Sequence, residues 1–246
     1  MSARLRVLLI RPKEDGNVGA VARLARNFGA SSLGFVAPRA SLGPEARRRA
    51  MGGIALLKNA KTYPDLDSAL AESDFVVGTT DLSTGRSASY LRRSISPERF
   101  GELCRGLDGR LALLFGPEDN GLSREELARC DLLVHIPARR EFPTLNLSHA
   151  VAVVLYAVHR AGLVENPEST PAPEILLLNG HEKELFLQRA SELIARTGYP
   201  AHKRRGLALL LRRVMGRSTP TEAEYRMLLG LLKNLERMTR GTKGSA

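Results

Sequence analysis

The sequence predicts an α/β protein: a parallel sheet with helices on both faces, followed by a small all-helical unit. Three observations carry that expectation. Over the first 160 residues, short β-branched or apolar runs alternate with helical patterns. The stretch "ENPESTPAPE", residues 165 to 174, then breaks the alternation with prolines and acids and has no periodicity. Beyond it, apolar residues recur only at helical spacing. Short runs that are apolar on both faces suit parallel strands covered from both sides, and the βαβ punctuation between them points the same way.

The expected strands are, in order, "RLRVLLI", "LGFVA", "DFVVGTT", "LALLFG" and "LLVHIP". Between the first two lies the helical pattern "NVGAVARLARNFG", with Asn17 as a plausible N-cap and Gly19 placed for close backbone approach. After the fourth strand comes the turn "FGPEDNGLS", whose Ser123 caps the helix "REELARC". Residues 142 to 158, "FPTLNLSHAVAVVLYAV", form a helix apolar enough to be buried, yet Thr144, Asn146, Ser148 and His149 crowd its first turn. Thr144 or Asn146 would serve as cap. One cap suffices, so a small polar ligand at the helix mouth is the competing reading. Residues 1–163 are therefore read as one domain, 164–180 as a linker and 181–246 as a basic helical domain. In the last of these, "HEKELFLQRASELIARTG", "KRRGLALLLRRVMG" and "TPTEAEYRMLLGLLKNLERMTR" are the helices, the third opened by a Thr-Pro-Thr-Glu start signal.

Composition excludes several classes. Hydrophobic residues make up 43% of the 246, enough for a sizeable core. No apolar run reaches the length of a membrane span, and the first residues do not read as a signal peptide, so a cytoplasmic protein is expected. Cys104 and Cys130 lie far apart without His or Cys at ligand spacing and read as small buried apolar residues, with neither metal nor disulfide expected. The net charge of +11 is unevenly spread: residues 181 to 246 hold 14 Lys+Arg and 6 Asp+Glu, a net of +8. A polyanionic partner met through that part is the expectation, nucleic acid first. An Arg-rich bias, 30 Arg to 7 Lys, does not explain why acids thin out at one end.

Ligands of open parallel sheets sit beyond the carboxyl ends of the strands. Here that means the segments starting near Arg11, Thr79, Gly116 and Pro137. None carries the G-x-G-x-x-G or G-x-x-x-x-G-K-[ST] spacing of nucleotide sites, which disfavours a Rossmann-type oxidoreductase. Arg23 and Arg26 lie early in the first helix, where cations oppose the helix dipole, so a functional role competes with a solvated one. With one or two arginines, a carboxylate and hydroxyls, the crevice fits transfer from an activated donor better than hydrolysis.

Three ordered motifs then carry a resemblance. Asn17 through Arg23 as N-x-x-x-x-x-R, Gly116-Pro117-Glu118 with Gly121, and Ile136-Pro137 followed by Thr144-Leu145-Asn146-Leu147-Ser148 resemble the motifs of the SpoU class of SPOUT RNA ribose methyltransferases. The C-terminal "TGYP", "KRR" and "LLRRVMGRSTPTEAEYRMLLGLLKNLER" resemble the helical extension of the TrmJ-type tRNA methyltransferases, so the likeness spans nearly the whole chain. It implies a SPOUT fold whose C-terminal part threads a loop as a trefoil knot, which pattern alone would not suggest because unknotted connections are the rule. It implies S-adenosylmethionine as cofactor, held by Thr79, Thr80, Asp81, Gly116, Glu118, Ile136, Pro137, Thr144, Leu145 and Asn146. The polar cluster on the buried helix would then both cap it and line the crevice.

The implied reaction is methyl transfer to a ribose 2′-hydroxyl of tRNA, at nucleotide 32 of the anticodon loop, with cytidine, uridine or both accepted. Arg23 matches the family's functional arginine. A guanidinium is effectively always protonated, so an orienting and charge-stabilising role suits it better than that of a base, with Asn17 placing the same RNA backbone. Arg26, Arg86, Lys203, Arg204, Arg205, Arg212 and Arg213 are the candidate RNA-phosphate contacts. The resemblance also implies a homodimer with the active site built across two subunits. The rival reading is a catalytically silent RNA-binding module on the same scaffold.

Overall fold

The computed structural model describes residues 4–80, 94–139, 141–163, 175–176, 180–218 and 220–241. Five of the strands fall where the apolar runs place them: β1 (Arg4–Ile10), β2 (Ser32–Val36), β4 (Phe75–Thr79), β6 (Arg110–Phe115) and β7 (Leu132–Val134). With β3 (Lys61–Tyr63) they form one sheet in the order β3-β2-β1-β6-β4-β7, parallel throughout. The sequence reading misses β3, because its three residues are largely exposed at the sheet edge and "KTY" has no apolar run to betray it. It also runs β7 too long, since the strand stops at Val134 before His135-Ile136-Pro137.

Two-sided burial is visible residue by residue. In β1, Leu5, Val7 and Leu9 join one core cluster while Leu8 and Ile10 join the other, as the two-residue strand period requires. β6 divides the same way, Leu111, Leu113 and Phe115 against Ala112 and Leu114. The larger cluster is covered by α1 (Asp15–Asn27), α2 (Pro44–Ala50), α3 (Ile54–Lys58), α5 (Pro97–Cys104) and α7 (Leu147–Leu163). The smaller lies under α4 (Leu66–Leu70) and α6 (Arg124–Arg129). α7 packs on both α1 and α5. Its inward stripe, Val151, Val154, Leu155 and Val158, follows helical spacing. β5 (Leu107–Asp108) pairs with β8 (Ile175–Leu176), a two-residue contact within the expected linker, most of which lies outside the described residues.

Three helices follow: α8 (Gly180–Arg196), α9 (Ala201–Ser218) and α10 (Glu222–Gly241). They share a small core of Phe186, Leu187, Met215 and Tyr225. Their attachment to the sheet is ionic. Asp131, fully buried just before β7, accepts hydrogen bonds from Val76 N at 2.9 Å and Lys183 Nζ at 2.6 Å. Arg212 reaches the same carboxylate at 3.5 Å and forks onto Glu184 at 2.6 and 2.7 Å. Arg213, 4% exposed, donates to Leu127 O at 2.6 Å. Arg212 and Arg213, expected to meet RNA, are thus turned inward, Arg212 because a carboxylate buried at the sheet end demands counter-charge and Arg213 to donate to a carbonyl in the last turn of α6. Nearby, Asp74 takes two bonds from the Arg110 guanidinium and one from Gly180 N. Burial alone would raise that carboxyl, but these donors overcome it and hold it below the usual carboxylate range.

Candidate active site

The site is built at the carboxyl ends of β1, β6, β4 and β7, around the first turns of α1 and α7. Glu14, in extended conformation, precedes α1 as its N-cap residue, so Asn17 is not the cap but the third residue of the helix. Asn17 instead points inward, 7% exposed, and its side chain is fully used. Its Nδ2 donates to Glu118 Oε1 at 3.0 Å and Glu14 Oε2 at 3.2 Å, while its Oδ1 accepts from Asn146 Nδ2 at 3.1 Å. Glu118, in the turn after β6, also accepts from Lys13 N at 3.0 Å and Glu14 N at 3.3 Å, fixing the two residues just before α1. Asn146 Oδ1 accepts from Ser148 N at 2.9 Å and Ser148 Oγ at 2.8 Å, which makes Asn146 the cap of α7. One hydrogen-bonded chain, Glu118–Asn17–Asn146, therefore ties together the three motif segments.

The surrounding loops are fixed with equal economy. Arg11, in the left-handed region at φ 46°, ends β1 and pairs with Glu126, whose hydrogen bond raises the guanidinium pKa further. Lys13 pairs with Asp119. Asp15 receives Ser41 Oγ at 2.7 Å, Gly43 N at 2.8 Å and Leu42 N at 2.9 Å, and the Ser41 bond leads in holding its pKa low. Thr79 Oγ1 donates to Leu114 O at 3.1 Å, Thr80 N to Val134 O at 3.0 Å, and His135 Nδ1 lies 3.1 Å from Thr80 O. Gly116 opens the turn where its backbone crosses Gly121, leaving no room for a side chain. Ser123 and Glu126 close a capping box on α6. Ile136 is half-buried, while Pro137, Thr144 and Leu145 are exposed beside the mouth of α7. Asp81 and Arg86 lie outside the described residues.

Arg23 and Arg26 do not join this cluster. Both are exposed on the outer side of α1, and Arg23 lines a separate concavity with Ala20, Leu24, Arg48, Arg49 and Met51. Lys203 and Arg205 are exposed on α9, and Arg204 Nε donates to Tyr199 O at 2.9 Å. The cysteines offer no nucleophile: burial pushes the Cys130 thiol up to about 12 and Cys104 still higher. Among the described residues no three His, Cys, Asp or Glu gather as a metal site, and no helix is long and apolar enough to cross a membrane. Sequence reading missed Lys13, Glu14 and Asp15 as the residues that fix the first loop. Their only trace was the acidic start of α1, a favourable match to the helix dipole.

A profile of the SpoU rRNA methylase family matches residues 4–156. The chain belongs to the SpoU methylase family, among its TrmJ-type members. The tRNA (cytidine-2′-O-)-methyltransferase TrmJ of Methanocaldococcus jannaschii is 32% identical over 234 residues, covering 95% of this chain and all of that one. The tRNA (cytidine/uridine/adenosine-2′-O-)-methyltransferase TrmJ of Pseudomonas aeruginosa is 33% identical, covering 98% of this chain and 97% of its own. The crystal structure of TrmJ from Z. mobilis superposes with a TM-score of 0.70 at 28% identity, over 94% of this chain and 98% of that one. The SpoU methyltransferase AviRb from Streptomyces viridochromogenes, solved with AdoMet, shares the fold at a TM-score of 0.51 and 24% identity, over 64% of this chain and 60% of its own. The six-stranded parallel sheet with helices on both faces is thus the SpoU architecture in this chain.

Proposed function

We propose that this SpoU-family chain is an S-adenosylmethionine-dependent tRNA ribose 2′-O-methyltransferase that acts as a homodimer in the cytoplasm on cytidine or uridine at nucleotide 32. The observation that carries the reading is the Glu118–Asn17–Asn146 chain, which locks the three motif segments around one crevice. The relatives named as tRNA 2′-O-methyltransferases match over nearly their whole length and support it. The crevice fits the cofactor. At Gly116 a side chain would strike the Gly121 backbone, so glycine here lets the turn after β6 close tightly beside the crevice. Thr79, Thr80, Ile136 and the Thr144–Asn146 segment would complete the cradle. S-adenosylmethionine, when bound, supplies a methyl group on a sulfonium.

The rest falls to the chain. Asn17 and Arg23 are six residues apart on α1, hence about 9 Å along the axis and about 120° around it. Asn17 faces its own crevice and Arg23 faces away, so we assign Arg23 to the crevice of a second copy. Tyr156, 53% exposed on α7 and edge-on to Phe28, and Val153, 37% exposed, offer apolar contact for that pairing. There Arg23 would orient the target phosphate and donate to the 2′-oxygen as the hydroxyl proton passes to solvent water. A trefoil knot is proposed too, supported by the Ile95–Val134 bridge and by the return of α7 onto α1 and α5. The residues 181–246, net +8, are proposed as the RNA-binding domain.

The test is incubation of the chain with unmodified tRNA and labelled S-adenosylmethionine, followed by mass spectrometry of nuclease fragments. A 2′-O-methyl group at nucleotide 32 is expected. Tight tRNA binding without transfer would favour the silent RNA-binding module instead.

A further inference from the structure

We propose that the concavity between α1 and α2, lined by Arg23, Arg48, Arg49 and Met51, is a subsite for backbone phosphates of the RNA strand flanking the target ribose. The proposal rests on the tRNA reading above and assigns Arg48 and Arg49 a part in substrate binding.

Close backbone approach makes the concavity. A side chain at Gly19 of α1 would strike the Ala46 carbonyl of α2 and come within 2.8 Å of Arg49 Cβ, and one at Gly53 would strike the Ala22 carbonyl. Glycine at both positions lets the two helices touch and brings their arginines onto one surface. α2 carries Arg47, Arg48 and Arg49 in succession, and all three are exposed. The one carboxylate paired there is Glu45, bound to Arg49 at 3.2 Å with both partners about half exposed. Among the described residues, no ion pair involves Arg23 or Arg48. Arg23 and Arg48 thus bring positive charge beside the Arg49–Glu45 pair with no carboxylate of their own; such guanidiniums repel one another until an anion joins them, and their planar forks match phosphate oxygens in pairs.

Met51 identifies the anion as a nucleotide rather than a bare ion. It is 62% exposed in the wall of the concavity. It also takes the left-handed conformation at φ 47°, although Gly52 and Gly53 follow directly. An exposed thioether held on a strained backbone among arginines gives one apolar, polarisable surface beside several cations, which suits a ribose or base face attached to its phosphate.

The test compares full-length wild type with the double variant Arg48→Ala/Arg49→Ala by filter binding of tRNA between 50 and 200 mM salt, alongside steady-state methylation. The slope of log K against log salt is expected to flatten by about 0.7 for each phosphate that is no longer neutralised, with tRNA KM raised about tenfold. Turnover at saturating tRNA and S-adenosylmethionine affinity stay within about twofold, and Arg48→Lys/Arg49→Lys keeps the salt slope while binding tRNA somewhat more weakly. Arg105→Ala, which removes an exposed cation elsewhere, is the control. A double variant no different from that control overturns the proposal, as does an altered sedimentation coefficient with unchanged salt slope, which would mean that a second protein chain fills the concavity. A wild type that binds tRNA but transfers no methyl group overturns the enzymatic reading alone, since filter binding still reads the phosphate contacts; one with no tRNA affinity overturns both.

Discussion

Arg23 is the residue on which chemistry and assembly meet. It is exposed, unpaired by any carboxylate among the described residues, and faces away from the crevice that Asn17 lines. If it serves a second copy, Arg23→Ala should fold normally, bind S-adenosylmethionine normally and lose on the order of a hundredfold or more in single-turnover rate. Asn146→Ala should lose the crevice and about 1 kcal/mol of helix capping. Mixing the two inactive variants is the decisive measurement. Random exchange would put one undamaged site on half of the dimers, so activity should return to about a quarter of wild type. No recovery from subunits shown to exchange would return Arg23 to its own chain's surface. Arg23 and Asn146 were legible as motif members. The link between Asn17 and Glu118 was not, because 101 positions separate the partners and nothing local marks the pairing. Asn17 reads as a cap from the sequence for the ordinary reason that asparagine suits that position, but Glu14 occupies it.

At the scale of elements, the strands were legible because each is apolar on both faces and short, whereas β3 was not, being exposed and three residues long. α7 shows why the polar cluster at its mouth supported two readings. Asn146 caps the helix and donates to Asn17 with the other end of the same amide, so capping and site-building are one arrangement rather than alternatives. What holds α7 in place is Gly101 of α5. A side chain there would come within 2.5 Å of Ala157 O and 3.2 Å of Ala161 Cβ. The sequence offers only a glycine inside a helix, normally a weakness. Gly101→Val should force α5 from α7 and lower stability by about 1–3 kcal/mol in urea unfolding, the range for overpacking. Because α7 carries Asn146, affinity for S-adenosylmethionine should fall with it. An unchanged unfolding midpoint would show that the two helices adjust freely.

At the scale of the whole molecule, the cations of the C-terminal helices, alike in sequence, have two different jobs. Lys183 and Arg212 surround the buried Asp131 and fasten α8 and α9 to the starts of β4 and β7, the end of the sheet opposite the crevice. Nothing in "KELFLQR" or "LLRRVMG" separates such a cation from a solvated one, since the carboxylates that capture it lie 28, 52 and 81 residues away. Deleting the C-terminal helices is therefore a poor probe of RNA binding. It would strip a buried carboxylate of its partners, and breaking such a pair costs about 3–5 kcal/mol. The clean probe is the exposed end of α9. Lys203→Glu, Arg204→Glu and Arg205→Glu together reverse three charges that form no ion pair among the described residues; the Arg204 bond to the Tyr199 carbonyl is broken and Glu125 loses the attraction of Arg205. Thermal unfolding should move little. Salt-dependent tRNA affinity should fall by about tenfold or more at 0.15 M salt and the salt slope should flatten, because phosphate contacts act through released counterions. Arg212→Ala should do the reverse, lowering stability by about 1–3 kcal/mol, because Glu184 loses both its bonds and the buried Asp131 is left with Lys183 as its one cation among the described residues. Equal tRNA affinity in the triple variant and wild type would strip the C-terminal helices of their RNA role and leave them as a brace on the sheet.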